Sequence, residues 1–189
     1  MTLGLKFLLS FLIGSIPFAK IAMLGTGIDI KKVGSGNPGF RNVARVASRW
    51  RSGFCLAGDL GKGYAALFLL GRAGTSAAAL WGAGIASVMG HCWSPFLRFN
   101  GGKGVATTFG VLLYLEPYLT LACLPLYPAL RFIGTKQHWK QEGAIASLST
   151  ALVISAAVLV FKGFEPGIFA CFLLAIVTVR HAPNLRDLL

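Results

Sequence analysis

The sequence predicts an all-α integral membrane protein, a polytopic bundle of about seven transmembrane helices. Three observations predict it. Hydrophobic residues make up 55% of the 189 and charged residues only 13%, against roughly 25% charged in soluble proteins. The apolar residues fall in long runs, near the roughly 20 residues an α-helix needs to cross a bilayer core. The Lys and Arg residues gather in alternate loops, as the positive-inside rule requires.

The expected spans, in order, are residues 3–24, 53–70, 75–90, 105–115, 118–132, 143–161 and 166–179. The first has one early base, Lys6, and an apolar run. No clear A-x-A site follows it, so it is read as a retained helix rather than a cleaved signal. The third carries Ala78, Gly82, Ala86 and Gly90 at every fourth position, a stripe of small residues that lets a neighbouring helix come close. The fourth and fifth are short, with Glu116 and Pro117 marking a tight hairpin between them. Five spans with a re-entrant hairpin is the competing count.

One orientation satisfies the loops. With the amino terminus outside, the segment 25–52 is cytoplasmic with Lys31, Lys32, Arg41, Arg45, Arg49 and Arg51. Cytoplasmic too are 91–104 with Arg98 and Lys103, 134–142 with Lys136 and Lys140, and the carboxyl end with Arg180 and Arg186. Lys20 and Arg131 snorkel toward the same side. Only Lys6, Arg72 and Lys162 lie outside. The chain reads as a single domain, 1–189, with its termini on opposite sides.

The formal net charge is +12, eighteen bases against six acids. Such a balance suits nucleic acid, anionic lipid or a phosphorylated ligand. The hydropathy excludes a free nucleic-acid binder, which leaves membrane lipids and a phosphate-bearing small molecule. Cys55, Cys92, Cys123 and Cys171 lie far apart with no C-x-x-C pair. They fit neither a zinc pattern nor a disulfide framework, and they read as small apolar packers. No metal or cofactor is expected.

Four polar stretches carry the chemistry, all on the cytoplasmic side. In Gly34-Ser35-Gly36-Asn37-Pro38-Gly39 the glycines match G-x-G-x-x-G without the βαβ setting of a dinucleotide site. The stretch still lets backbone N–H groups converge on an anion. A short helix over 42–51 would add its amino end, and Arg45 can fork onto phosphate oxygens. The competing reading is a basic interfacial loop. In the second stretch, Asp59 and Lys62 stand three apart near the membrane. That fits either a structural ion pair or a substrate contact.

The third stretch runs from His91 through Gly101-Gly102-Lys103-Gly104. Residues 101–104 can wrap an anion, with Lys103 as point charge and the next helix behind it. Gly104 stands where a Walker A loop needs Ser or Thr. His91 opens this polar loop and is a candidate contact. In the fourth, His181 and Asn184 share a helix face, the alternative being a basic tail on anionic lipid. Two phosphate cradles on one membrane face suggest two phosphorylated partners.

These residues resemble the acyl-phosphate:glycerol-3-phosphate acyltransferase family, the PlsY type. The likeness runs from Gly14-Ser15-Ile16-Pro17-Phe18 to Asn184. It rests on Gly34-Ser35-Gly36-Asn37 with Asn42 and Arg45, then Asp59, Lys62 and Gly63, then Gly90-His91, Pro95 and residues 101–107, then His181 and Asn184. The resemblance implies a seven-helix enzyme of the bacterial inner membrane that uses acyl phosphate, with glycine loops holding glycerol 3-phosphate and the acyl-phosphate group. It implies a site lined by Ser35, Arg45, Lys103, His181 and Asn184, with Ser147 matching a serine at the start of the sixth span.

Further expected substrate contacts are Gly34, Gly36, Asn37, Asn42, Lys62, His91, Gly101, Gly102 and Gly104. The chain departs from the family at Arg41, where a threonine is usual, and at Ala144, where a serine is usual. It also lacks the glycine and glutamate that normally follow the last motif.

Thioester-using glycerol-phosphate acyltransferases show a histidine, four residues and an aspartate. His91, His138 and His181 are followed at that spacing by Phe96, Gly143 and Arg186, which favours the acyl-phosphate branch. The rival class is a transporter of phosphate or an organic phosphate, and a non-catalytic lipid-binding scaffold is third. Polar residues at the midplane or an inverted repeat would support transport, and neither is seen. The oligomeric state is left open by the sequence, a monomer among the options.

Overall fold

The structure is a computed structural model that describes residues 1–71 and 74–188. Arg72, expected outside, falls outside the described residues. Among those described, regular structure is entirely helical. The chain divides into two compact units, Met1–Val111 and Leu112–Leu189.

In the first unit, α1 (Leu3–Gly14) and α2 (Phe18–Ala22) together form the first apolar stretch. They are separate because Pro17 lacks an N–H and its ring disfavours helix at the residue before it. Arg51 closes the far end of α2 by donating to the carbonyls of Ala22 and Leu24. The short α3 (Phe40–Val46) stops before α4 (Arg49–Leu70) begins. The helix expected over 42–51 is thus two helices, split at Ala47, whose backbone is extended. At 22 residues and about 1.5 Å per residue, α4 exceeds the hydrocarbon thickness. Next come α5 (Ala77–Cys92) and, after a 3-10 turn at Pro95–Leu97, α6 (Val105–Leu115).

The small-residue stripe of α5 does what small residues do in membranes. A Cβ on Gly82 would lie 2.7 Å from the Phe7 ring, and one on Gly90 would strike the carbonyl of Phe11. Gly14 of α1 returns the fit, since its Cβ would strike the carbonyl of Ser87. Helices α4 and α6 approach as closely, Gly63 on Thr107 and Gly110 on Leu60.

In the second unit, α7 (Pro117–Cys123) and α8 (Leu126–Lys136) replace one expected span, broken at Pro125. They are followed by α9 (Glu142–Lys162), α10 (Phe164–Arg180) and the short α11 (Ala182–Arg186). Buried hydroxyls on α9 bond backbone: Thr150 donates to Ala146 O, and Ser155 to Ala170 O of α10 at 3.1 Å.

Among the described residues, three stretches are long and apolar enough to cross a membrane, Leu3–Ala22, Arg49–Leu70 and Glu142–Lys162. Their outer faces are greasy. Val160 and Phe161 are each 73% exposed, and Phe68 is 66% exposed. A soluble monomer rarely leaves such a surface open, whereas lipid covers it.

Within each unit, loops expected on one membrane face touch. Lys31 donates to Asn100 O at 3.0 Å, joining the two glycine-rich segments. At the opposite face, Lys6 donates to Thr75 at 2.6 Å. In the second unit Lys162 pairs with Glu116 at 3.1 Å, and Arg131 with Glu142 at 3.6 Å. The first of these pairs joins loops expected outside, the second residues expected at the cytoplasmic side.

Candidate functional site

The first glycine loop is built on Asn42. Its side chain, 1% exposed, accepts from the Ser35 N–H at 2.9 Å and donates to Ile30 O at 3.0 Å and Val33 O at 2.9 Å. Both donors and one acceptor site of the amide are therefore used in holding the loop. Gly34 has φ 58°, and a Cβ there would strike the Asn42 oxygen, so the position demands glycine twice over. Gly36, with φ 66°, donates to Val33 O at 3.0 Å, and Gly39 donates to the Asn37 carbonyl at 2.9 Å.

The expected convergence of loop amides on an anion thus takes another form. The N–H groups of Ser35, Gly36 and Gly39 bond within the segment. The side chains of Ser35 and Arg45 are exposed. Arg45 lies in the last turn of α3.

Beneath the loops lies a buried ionic cluster. Asp59 is 2% exposed and Lys62 5%. Lys62 Nζ donates to Asp59 Oδ1 at 2.8 Å and to Ile16 O, in the break between α1 and α2, at 2.8 Å. His91 Nδ1 stands 3.4 Å from the same carboxylate oxygen. Ser94 donates to Ser15 O at 2.7 Å. The break in the first span is therefore bonded on both sides by partners from α4 and the 91–104 segment.

The second glycine loop rests on this cluster. The N–H of Gly101 donates to Cys92 O, and that of Gly102 to His91 O, each at 3.1 Å. A Cβ on Gly102 would strike His91 Nε2, so the imidazole is packed directly against the loop. Two of the loop's amides are therefore engaged with the end of α5. Charge at this loop falls to Lys103, which is half-buried, and to the amino end of α6 just beyond Gly104. A narrow cleft with about 10 Å³ of enclosed space is lined by Pro38 of the first loop and Gly102 of the second, with Asp59, Lys62, His91 and Ser94. The two loops therefore share one cleft.

The second unit holds the remaining candidates. His181 is 2% exposed. Its Nδ1 lies 2.8 Å from Val177 O, and because a carbonyl only accepts, Nδ1 carries the proton. In a neutral ring Nε2 then accepts from the Ser147 hydroxyl, 3.1 Å away. Ser147 Oγ also lies 2.9 Å from Gly143 O, so the imidazole and the helix backbone compete for one hydroxyl proton. Asn184 Nδ2 donates to Gln141 Oε1 at 2.6 Å, and Gln141 Nε2 to Asp187 at 2.8 Å.

Sequence reasoning missed Gln141, whose only signal is its place beside the basic 134–142 loop. It missed the convergence of His91 on Asp59 as well, although an acid inside an apolar helix was a signal. Among the described residues no group of three or more His, Cys, Asp or Glu could hold a metal.

The chain matches the glycerol-3-phosphate acyltransferase family over residues 4–189. A glycerol-3-phosphate acyltransferase of Laribacter hongkongensis is 34% identical, covering 100% of this chain and 93% of that one. The crystal structure of PlsY (YgiH), an integral membrane glycerol 3-phosphate acyltransferase in its glycerol 3-phosphate form, superposes with a TM-score of 0.87 at 28% identity. The match covers 98% of this chain and 91% of that one. Its lysophosphatidic acid form matches with a TM-score of 0.85 over the same shares. The chain belongs to the glycerol-3-phosphate acyltransferase family.

Proposed function

We propose that this membrane acyltransferase moves a fatty acyl group from acyl phosphate to the 1-hydroxyl of glycerol 3-phosphate. The products are lysophosphatidic acid and inorganic phosphate. The observation that carries the reading is that both glycine loops line one cleft, through Pro38 and Gly102, with Arg45 and Lys103 following in the adjoining sequence. The related crystal structures in glycerol 3-phosphate and lysophosphatidic acid forms match the acceptor and product of this reaction. Acyl phosphate as donor is supported by the lack of the histidine-x4-aspartate pattern of thioester users. It is also supported by two cationic loops where one would serve a single phosphate.

The chemistry is leaving-group chemistry. The acceptor oxygen attacks the acyl carbon, a C–O ester bond forms, and the bond from that carbon to the phosphate oxygen breaks. Phosphate departs with the electron pair, stabilised by the fixed positive charge of Lys103 and Arg45. Ser35 orients the substrates at the glycine loops, and the family resemblance adds Ser147 and Asn184 as orienting residues of the second unit. The hydroxyl proton passes to a phosphate oxygen, because His181 is buried with both ring nitrogens engaged. His181 thus holds Ser147 in place. Holding the two substrates together supplies much of the acceleration, up to about 7–11 kcal/mol for ideal orientation.

The domain is one, 1–189. Seven crossings put the amino terminus outside, and the carboxyl terminus and chemistry at the cytoplasmic face of the bacterial inner membrane. The contacts of Lys31 with Asn100 and of Lys162 with Glu116 support that topology. The test is Lys103→Ala. The variant should fold, with turnover below about 1% of wild type, the size expected for losing one preorganised charge. Near-normal turnover would sink the assignment.

A further inference from the structure

We propose that Asp59 is a positioning residue for Lys103, fixing the Lys103 loop from both of its flanks. The inference rests on the reading of Lys103 given above. Before the loop, the Asp59 carboxylate lies 3.4 Å from His91 Nδ1. The far edge of that imidazole is packed against Gly102. The carbonyl of His91 also takes the Gly102 N–H, so ring and backbone of one residue support the residue before Lys103. After the loop, the Thr107 hydroxyl donates to the Asp59 carbonyl at 2.9 Å, in the first turn of α6. Thr107 is fully buried. A single residue of α4 therefore sets both ends of the segment that presents Lys103.

Three further features point the same way. Lys62 anchors the carboxylate by bonding it and the Ile16 carbonyl together, so Asp59 cannot swing toward solvent. Gly63 and Gly110 let α4 and α6 approach closely beside the Thr107 tie. And a buried ionic cluster is a poor way to gain stability, since well-packed apolar residues often do as well or better. Its retention beside a cationic loop fits placement of that loop. Lys62 and His91, expected as substrate contacts, take part here through Asp59 and Gly102.

The test uses purified full-length enzyme with acyl phosphate and glycerol 3-phosphate. It compares Asp59→Asn and Thr107→Val, each alone and combined with Lys103→Arg. Thr107→Val removes the second tie without touching the charges, and it reads the proposal should Asp59→Asn fail to fold. Each single variant should lower kcat about 10–100-fold, the scale of a misplacement of about 1 Å, with KM for glycerol 3-phosphate within about twofold. Thr107→Ser should restore activity. Combined with Lys103→Arg, each should cost less than about threefold more, because a charge already displaced has little left to lose. Losses that multiply in full in the double variants, or single variants with normal kcat, would overturn the positioning role. Near-normal turnover of Lys103→Arg and Lys103→Ala would instead overturn the reading of Lys103 itself.

Discussion

Asn42 shows how a residue type can be legible from sequence while its task is not. The motif placed it at the first glycine loop, and the structure closes three hydrogen bonds on its amide. Asn42→Ala should leave the buried Ile30 carbonyl without its partner, costing about 1–3 kcal/mol, and should free the part-buried Val33 carbonyl and Ser35 N–H. A lowered unfolding temperature in detergent, with activity lost in step, is the expected outcome. Unchanged stability would mean that the loop is held by other contacts.

Gln141 is the counterpart in the second unit. It bridges Asn184 and Asp187, with its backbone at φ 56°. Gln141→Ala should lower kcat about tenfold by releasing Asn184, a loss within what misorientation causes, while Gln141→Glu should recover part of it by keeping the acceptor oxygen. Equal activity in both would contradict an orienting role. No sequence pattern announces such a brace, because its partners lie 43 and 46 positions away.

Among elements, hydropathy located the helices well and their interruptions poorly. The expected spans at 105–115 and 143–161 agree with α6 and α9 within a residue at each end. The first and fifth spans are each divided, at Pro17 and Pro125, because a proline deep in an apolar run still removes a donor and crowds the preceding turn. Close helix packing was legible in the small-residue stripe of α5. Gly14→Ala should force α1 away from the Ser87 carbonyl and cost about 1–3 kcal/mol, as overpacking does. Gly4→Ala, where an added Cβ meets nothing within 4 Å, should leave stability unchanged or slightly raised. Thermal unfolding of the two variants side by side decides it, and equal loss in both would contradict the packing account.

At the scale of the whole molecule, basic loops alternating with apolar runs predicted the membrane class, and the exposed apolar faces of the long helices agree. The topology makes a separate prediction. With Cys123 and Cys171 replaced by Ser, a membrane-impermeant thiol reagent added outside intact cells should label Lys162→Cys and spare Lys140→Cys. The reverse pattern would invert the orientation.

The residues by themselves suggested two phosphate cradles and no more, because composition and spacing can suggest anion sites but not which anhydride or ester fills them. The reaction is read directly from lysophosphatidic acid formation by the purified enzyme from glycerol 3-phosphate. Palmitoyl phosphate and palmitoyl-CoA would be supplied in parallel. Product is expected from the acyl phosphate and none above background from the thioester. Product from the thioester alone would contradict acyl phosphate as the donor.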